Sequence, residues 1–159
     1  MSAESVYKTF GGKPGLVRAI CAKGLAGSGP IHAEARSDAL QREVDDPRAI
    51  IRAWGTLTTE VAPRVAPILL LLRAAAVIDG EMAALQAEIE AERLRRMTHN
   101  ALSLVDHLRA GLAVEDAGAV LWTYSSPEMY ELLVIKQGWG LRRYGDFIAD
   151  ALIGALLTP

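Results

Sequence analysis

Apolar residues recur along this chain at intervals of three and four, and nowhere do they alternate with polar residues between turn signals. That period belongs to helices and not to half-buried strands, so the sequence predicts an all-α fold. A short first helix spans Ala3 to Phe10 and stops at Gly11-Gly12, a pair suited to a left-handed turn. Pro14 fits the first turn of a second helix, whose apolar side carries Leu16, Val17, Ile20 and Leu25. The stretch "GSGPIHAEARSD" reads as a loop, and it places a boundary between an N-terminal piece (1–27) and a main body (28–159).

In the body, "DDPRAIIRAW" marks a helix start, with Asp46 as N-cap and Pro47 at the first helical position. Ile50, Ile51, Trp54, Leu57 and Val61 continue the stripe. A break is expected near Pro63 and a kink at Pro67. Ile68 to Leu72 is apolar all round, which predicts a central helix with neighbours on every side. From Gly80 the stripe Met82, Leu85, Ile89, Met97, Ala101, Leu104, Leu108 predicts one long helix, or two nearly collinear ones, to Gly111. Arg93 fills one gap in that stripe, and Glu92 and Arg96 stand at pairing distance i,i+4 on its wet face. "VEDAGAVLWTYSS" is the next helix, and Ser126-Pro127-Glu128 begins another. The last, "LRRYGDFIADALIGALL", has a wide apolar stripe, and Gly145 and Gly154 suit close helix approach.

Composition narrows the class. With 159 residues, 51% hydrophobic and 23% charged, the chain is of single-domain size and has enough apolar residues for a core. The net charge of −2 argues against a protein that coats nucleic acid. The charge is uneven: residues 1–27 hold Lys8, Lys13, Arg18 and Lys23 against Glu4 alone, a net +3 on a body of net −5. The single Cys21 can form no internal disulfide, which fits a reducing, cytoplasmic setting, and no Cys/His zinc spacing is present. The run "PILLLLRAAAVI" contains Arg73 and is shorter than the about 20 apolar residues of a membrane span, so a core helix is expected and no membrane partner. No catalytic fingerprint or carboxylate couple stands out, and no enzymatic activity or cofactor is expected.

The N-terminal residues "SVYKTFGGKPGLVRAI" resemble the TetR family of bacterial transcriptional regulators, whose recognition helix ends in a Tyr-x-x-Phe pair followed by a Gly/Ser turn, a Lys and a Leu-rich helix. Here the matching positions are Val6, Tyr7, Phe10, Gly11, Gly12, Lys13 and Leu16. The two C-terminal segments are similar to the paired helices through which such regulators form homodimers. The family's head has two further helices before the recognition helix, and Met1 stands where that helix begins. The resemblance therefore implies a truncated reading frame, a processed product or an internal start. A loosely held first ten residues and weak operator DNA binding by this chain are expected with it.

By the resemblance, Tyr7 and Lys13 are phosphate contacts with Lys8 nearby, and Ser5 and Glu4 lie on the groove side. It further implies a small-molecule site between the body helices, for which Trp54, Arg73, His99, Asn100, Trp122, Tyr124 and Tyr130 are candidates. Arg73, set in an apolar helix, is expected to need Glu60, another carboxylate or an anionic ligand as partner. The dimer stripe is expected at Phe147, Ala151, Leu152 and Ala155, with Leu132 or Ile135 opposite. The function implied is that of a ligand-responsive regulator, by family precedent a repressor. The alternative is a helical dimerisation and ligand-binding module with no role on DNA.

Overall fold

The structure is a computed structural model that describes residues 3–27 and 30–158, with side chains from Tyr7 onward. All of its regular elements are helical: α1 (Ala3–Phe10), α2 (Lys13–Leu25), α3 (Ala33–Glu43), α4 (Pro47–Ala76), α5 (Gly80–Leu102), a 3-10 turn (Val105–His107), α6 (Val114–Tyr124), α7 (Pro127–Tyr130) running on as a π-helix (Glu131–Lys136), and α8 (Leu141–Leu156). The fold class is therefore all-α among the described residues.

α4 is the axis of the molecule, packed against α8, α5, α2, α7 and α3. Its start follows the sequence: the Asp46 carboxylate accepts from the Arg48 backbone N–H at 2.9 Å, and Pro47 needs no N–H there. The expected break at Pro63 does not occur, and α4 is a single 30-residue helix containing both Pro63 and Pro67. Each proline removes one backbone hydrogen bond. The helix nonetheless runs unbroken through both, packed against five other helices. By length and mean hydropathy (1.2) it would reach across a membrane. In this fold it is the central helix, with Glu60 ion-paired to Arg36 midway along it. The expectation of neighbours all round fails at Leu71, which is 68% exposed.

Three other expectations are corrected. The stretch read as loop, 27–38, runs from residue 33 into α3 (Ala33–Glu43), because tertiary partners hold a segment of weak amphipathicity. Arg36 forks onto Glu60 (3.2 and 2.6 Å), Arg96 reaches Asp38 (2.6 Å), and Ser37 accepts from the Trp54 indole (2.9 Å). Arg96 thus does not pair with Glu92, which instead faces Arg18 at 3.4 Å. The long helix from Gly80 ends at Leu102, and Leu104 and Leu108 lie beyond it around the 3-10 turn. Leu108 pairs with Leu157 in an isolated bridge, with Arg109 N–H donating to Leu156 O at 2.8 Å, which ties the C-terminal end to this turn.

α4 and α8 cross at two glycines. A Cβ on Gly55 would lie 2.6 Å from Gly145 O, and one on Gly145 would lie 2.7 Å from Gly55 O and 2.5 Å from Thr59 Cγ2. Gly145 therefore has the role expected of it, whereas a Cβ on Gly154 would meet nothing within 4 Å. Around the crossing, Ile51, Tyr144, Ile148 and Leu156 are fully buried and build the main core. Tyr130 meets Tyr144 edge-on at 5.8 Å, and burial pushes the Tyr144 hydroxyl up to about 12.

Candidate functional site

A cavity of about 460 Å³ lies between α2, α3, α4, α5 and α8. Its volume falls within the range of small-molecule sites. The wall is mostly apolar, with Cys21 and Leu25 from α2, Val61 and Val65 from α4, Met97 from α5 and Leu152 from α8. α2 reaches the wall because Gly24 has no side chain: a Cβ there would sit 2.7 Å from Val65 Cγ2. The N-terminal piece and the body therefore share this space.

Arg18, Glu34, Thr58, Glu92 and Arg96 are among the polar residues lining the cavity, and two sets of polar contacts stand out. The first is a network around Ser37. Its hydroxyl accepts from Trp54 Nε1 (2.9 Å) and from Gln41 Nε2 (3.0 Å), and Gln41 also donates to Asn100 Oδ1 (3.3 Å). Ser37 and Asn100 are buried at 5% and 6% exposure, so these bonds are what make a polar cluster tolerable there. Asn100 lines the cavity, and its amide nitrogen donates to no described group. The second is that of Arg93, whose Nη2 donates to Trp122 O (3.1 Å) and Ser125 Oγ (3.4 Å). The Arg93 guanidinium also lies over the Trp122 ring, 5.7 Å from its centre. Burial lowers the Arg93 pKa, against an opposing pull from Glu128 and Glu90. Burial likewise raises the Cys21 thiol pKa, and nearby Arg18 opposes it.

Of the residues proposed from sequence to meet a ligand, Trp54 and Asn100 line the cavity. Arg73, His99, Trp122, Tyr124 and Tyr130 do not. Arg73 is exposed and bound to Glu128 (2.5 Å) and Glu131 (3.5 Å), so its partner is another carboxylate, one of the alternatives expected, on the α7 segment and at the surface. Glu60, the partner first suggested for it, belongs to Arg36. His99 is exposed, one position round α5 from Asn100. Trp122 stands behind Arg93 with its Nε1 buried and unbonded among the described residues, and Tyr130 is in the core. Tyr124 is half-buried against the main core. Sequence reasoning missed Ser37, which lay in the supposed loop, and Arg93. The signal for Arg93 was present: a charge standing at an apolar position of the α5 stripe.

On α1 and the turn after it, Tyr7 is 64% exposed and Lys8 is exposed. Lys13 reaches Asp79, the N-cap of α5, at 3.5 Å. The side chains of Ser5 and Glu4 lie outside the described residues. At the other end, Leu132, Ile135 and Phe147 are exposed, and Ala151 and Ala155 are half-buried. Leu152 is corrected: it is 4% exposed within the chain and lines the cavity, because it follows Tyr144 and Ile148 at four-residue steps on the inner face of α8. Trp139 closes one side of the outer face, edge-on to Phe147 at 5.5 Å and under Arg143 at 3.9 Å.

No protein-family model matches the chain, and neither a curated protein nor a solved structure matches it.

Proposed function

We propose that this chain is a TetR-like transcriptional regulator, a cytoplasmic homodimer that senses a small, largely apolar molecule and thereby controls DNA binding, acting as a repressor. The observation that carries this reading is the cavity itself. It is apolar, of ligand size, and walled in part by α2. α2 follows α1 after only the two glycines of the turn, and α1 is the helix that resembles a recognition helix. A ligand that fills the space bears on Cys21 and Leu25 and so on the element that carries α1. The exposed apolar residues Leu132, Ile135 and Phe147, beside Ala151 and Ala155, supply the face for a second copy. Tyr7, Lys8 and Lys13 supply phosphate contacts.

One observation favours the alternative of a module with no role on DNA: among the described residues, α1 has α2 as its one substantial neighbour. A helix-turn-helix holds its recognition helix on more than one support. Selection of bound duplexes from a random DNA library separates the two readings. An enriched, two-fold-symmetric sequence supports the regulator. No enrichment from a dimer that still takes up small molecules supports the module. A monomer that takes up none refutes both.

A further inference from the structure

Four arginines are half-buried among the described residues: Arg18, Arg36, Arg93 and Arg96. Three of them meet carboxylates, Arg18 on Glu88 and Glu92, Arg36 on Glu60 and Arg96 on Asp38. Arg93 alone has none within ion-pair distance, and its contacts are the neutral Trp122 carbonyl and Ser125 hydroxyl. Its Nη1 and Nε donate to no described group. Glu128 and Glu90 pull on it only from beyond pairing distance, and a desolvated guanidinium with no paired counter-charge is costly. This one lines the cavity, where a ligand would supply the missing charge.

The spacing on α5 extends the argument. Arg93, Met97 and Asn100 all line the cavity at i, i+4 and i+7, so they share one helix face. Seven residues at 1.5 Å each set Arg93 and Asn100 about 10 Å apart along the axis. Met97 lies between them on α5, and Val61 and Val65 of α4 line the same cavity. Two carboxylates also line the space: Glu92, already engaged by Arg18, and Glu34, which is exposed. Neither contacts Arg93.

Building on the ligand-sensing reading above, we propose that the cavity takes an elongated amphipathic anion. Its carboxylate, or an equivalent monoanionic group, pairs with Arg93, its apolar body lies along Met97, Val61 and Val65, and a hydrogen-bond acceptor at the far end is within reach of the Asn100 amide. The shape and the charge together select an organic acid over a neutral or cationic lipophile of the same length.

The test is a matched series on the full chain: decanoate, decanol and decylammonium, titrated at pH 7 and below micellar concentrations, with tryptophan fluorescence and calorimetry as readouts. Decanoate is expected to bind at least tenfold more tightly than decanol, the size of a charge-assisted hydrogen bond, and decylammonium most weakly. Arg93→Gln should bring decanoate down to the level of decanol while decanol changes less than about twofold, since the apolar contacts are untouched. Arg93→Lys should keep part of the preference, and its circular dichroism guards against loss of fold. Equal binding of all three compounds, or a decanoate preference that survives Arg93→Gln, overturns the anion assignment and leaves the ligand cavity standing. Binding of none of the three by a folded chain overturns both.

Discussion

Alanine in place of Gly145 tests the packing logic of the fold at its tightest point. The new Cβ would lie 2.7 Å from Gly55 O and 2.5 Å from Thr59 Cγ2. The threonine methyl can move, but the carbonyl belongs to the backbone of α4, so the two helices must separate. Overpacking of this kind costs roughly 1–3 kcal/mol, and an obstruction by backbone belongs at the upper end. Against it stands the helix preference of alanine over glycine, about 1 kcal/mol in the other direction. The net expectation is a loss of about 2 kcal/mol. With a urea m-value of about 2 kcal/mol/M the midpoint falls by roughly 1 M. Equilibrium urea unfolding followed by far-ultraviolet circular dichroism measures it, and an unchanged m-value shows that stability and not the unfolded state has moved. Gly55→Ala should behave likewise, since its Cβ would meet Gly145 O at 2.6 Å and Ala149 Cβ at 2.9 Å. A Gly145→Ala variant as stable as the parent, or more stable, would show that propensity outweighs contact here and that α4 and α8 do not cross as described.

Other consequences follow from separate parts of the molecule. Trp54→Phe removes the 2.9 Å bond to Ser37 from a buried network and should cost about 1–2 kcal/mol in the same assay. Asp38, whose pKa is lowered first by its hydrogen bond from Arg96, stabilises the fold above the ordinary carboxylate range. That contribution is lost as pH falls through the depressed folded value, so Asp38→Asn should flatten the acid limb of a stability–pH curve below about pH 4. Tyr144 runs the other way: its folded pKa is raised to about 12, so its contribution is intact below about pH 10 and lost between there and pH 12, a fall that Tyr144→Phe should reduce. For the proposed dimer, Ala151→Glu with Ala155→Glu should give a monomer by sedimentation, and a mass that stays dimeric would remove α8 from the interface.

Much of the fold could be read from local chemistry. The Asp46-Pro47 start, the Gly11-Gly12 stop and the Gly145 contact are each set by backbone geometry that a few residues determine. α3 could not be read in that way, because Ala33–Glu43 is held by partners distant in sequence: Trp54, Glu60 and Arg96. The run through Pro63 and Pro67 was hidden for a similar reason, since proline's local penalty is visible and the packing of α4 against five other helices is not. At the cavity, the expectation that an arginine in an apolar stretch needs an anionic partner holds for Arg73, and the same chemistry bears on Arg93. Arg73 lies within reach of Glu128 and Glu131 across the fold, and Arg93 has no carboxylate in contact. On α8, one four-residue stripe was legible, but which of its flanks faced inward was not, and so Leu152 was placed outside.

The central claim is that filling the cavity moves α1 through α2. The most direct measurement is the distance between spin labels at Thr9→Cys in the two copies of a dimer whose Cys21 is replaced by Ala. It would be recorded with the cavity empty and then saturated with the tightest-binding of the decyl compounds. A displacement of about 2 Å or more between the two distance distributions is the expected result, the scale of helix shifts at interfaces. Superimposable distributions, with occupancy confirmed by tryptophan quenching in the same samples, would contradict the account.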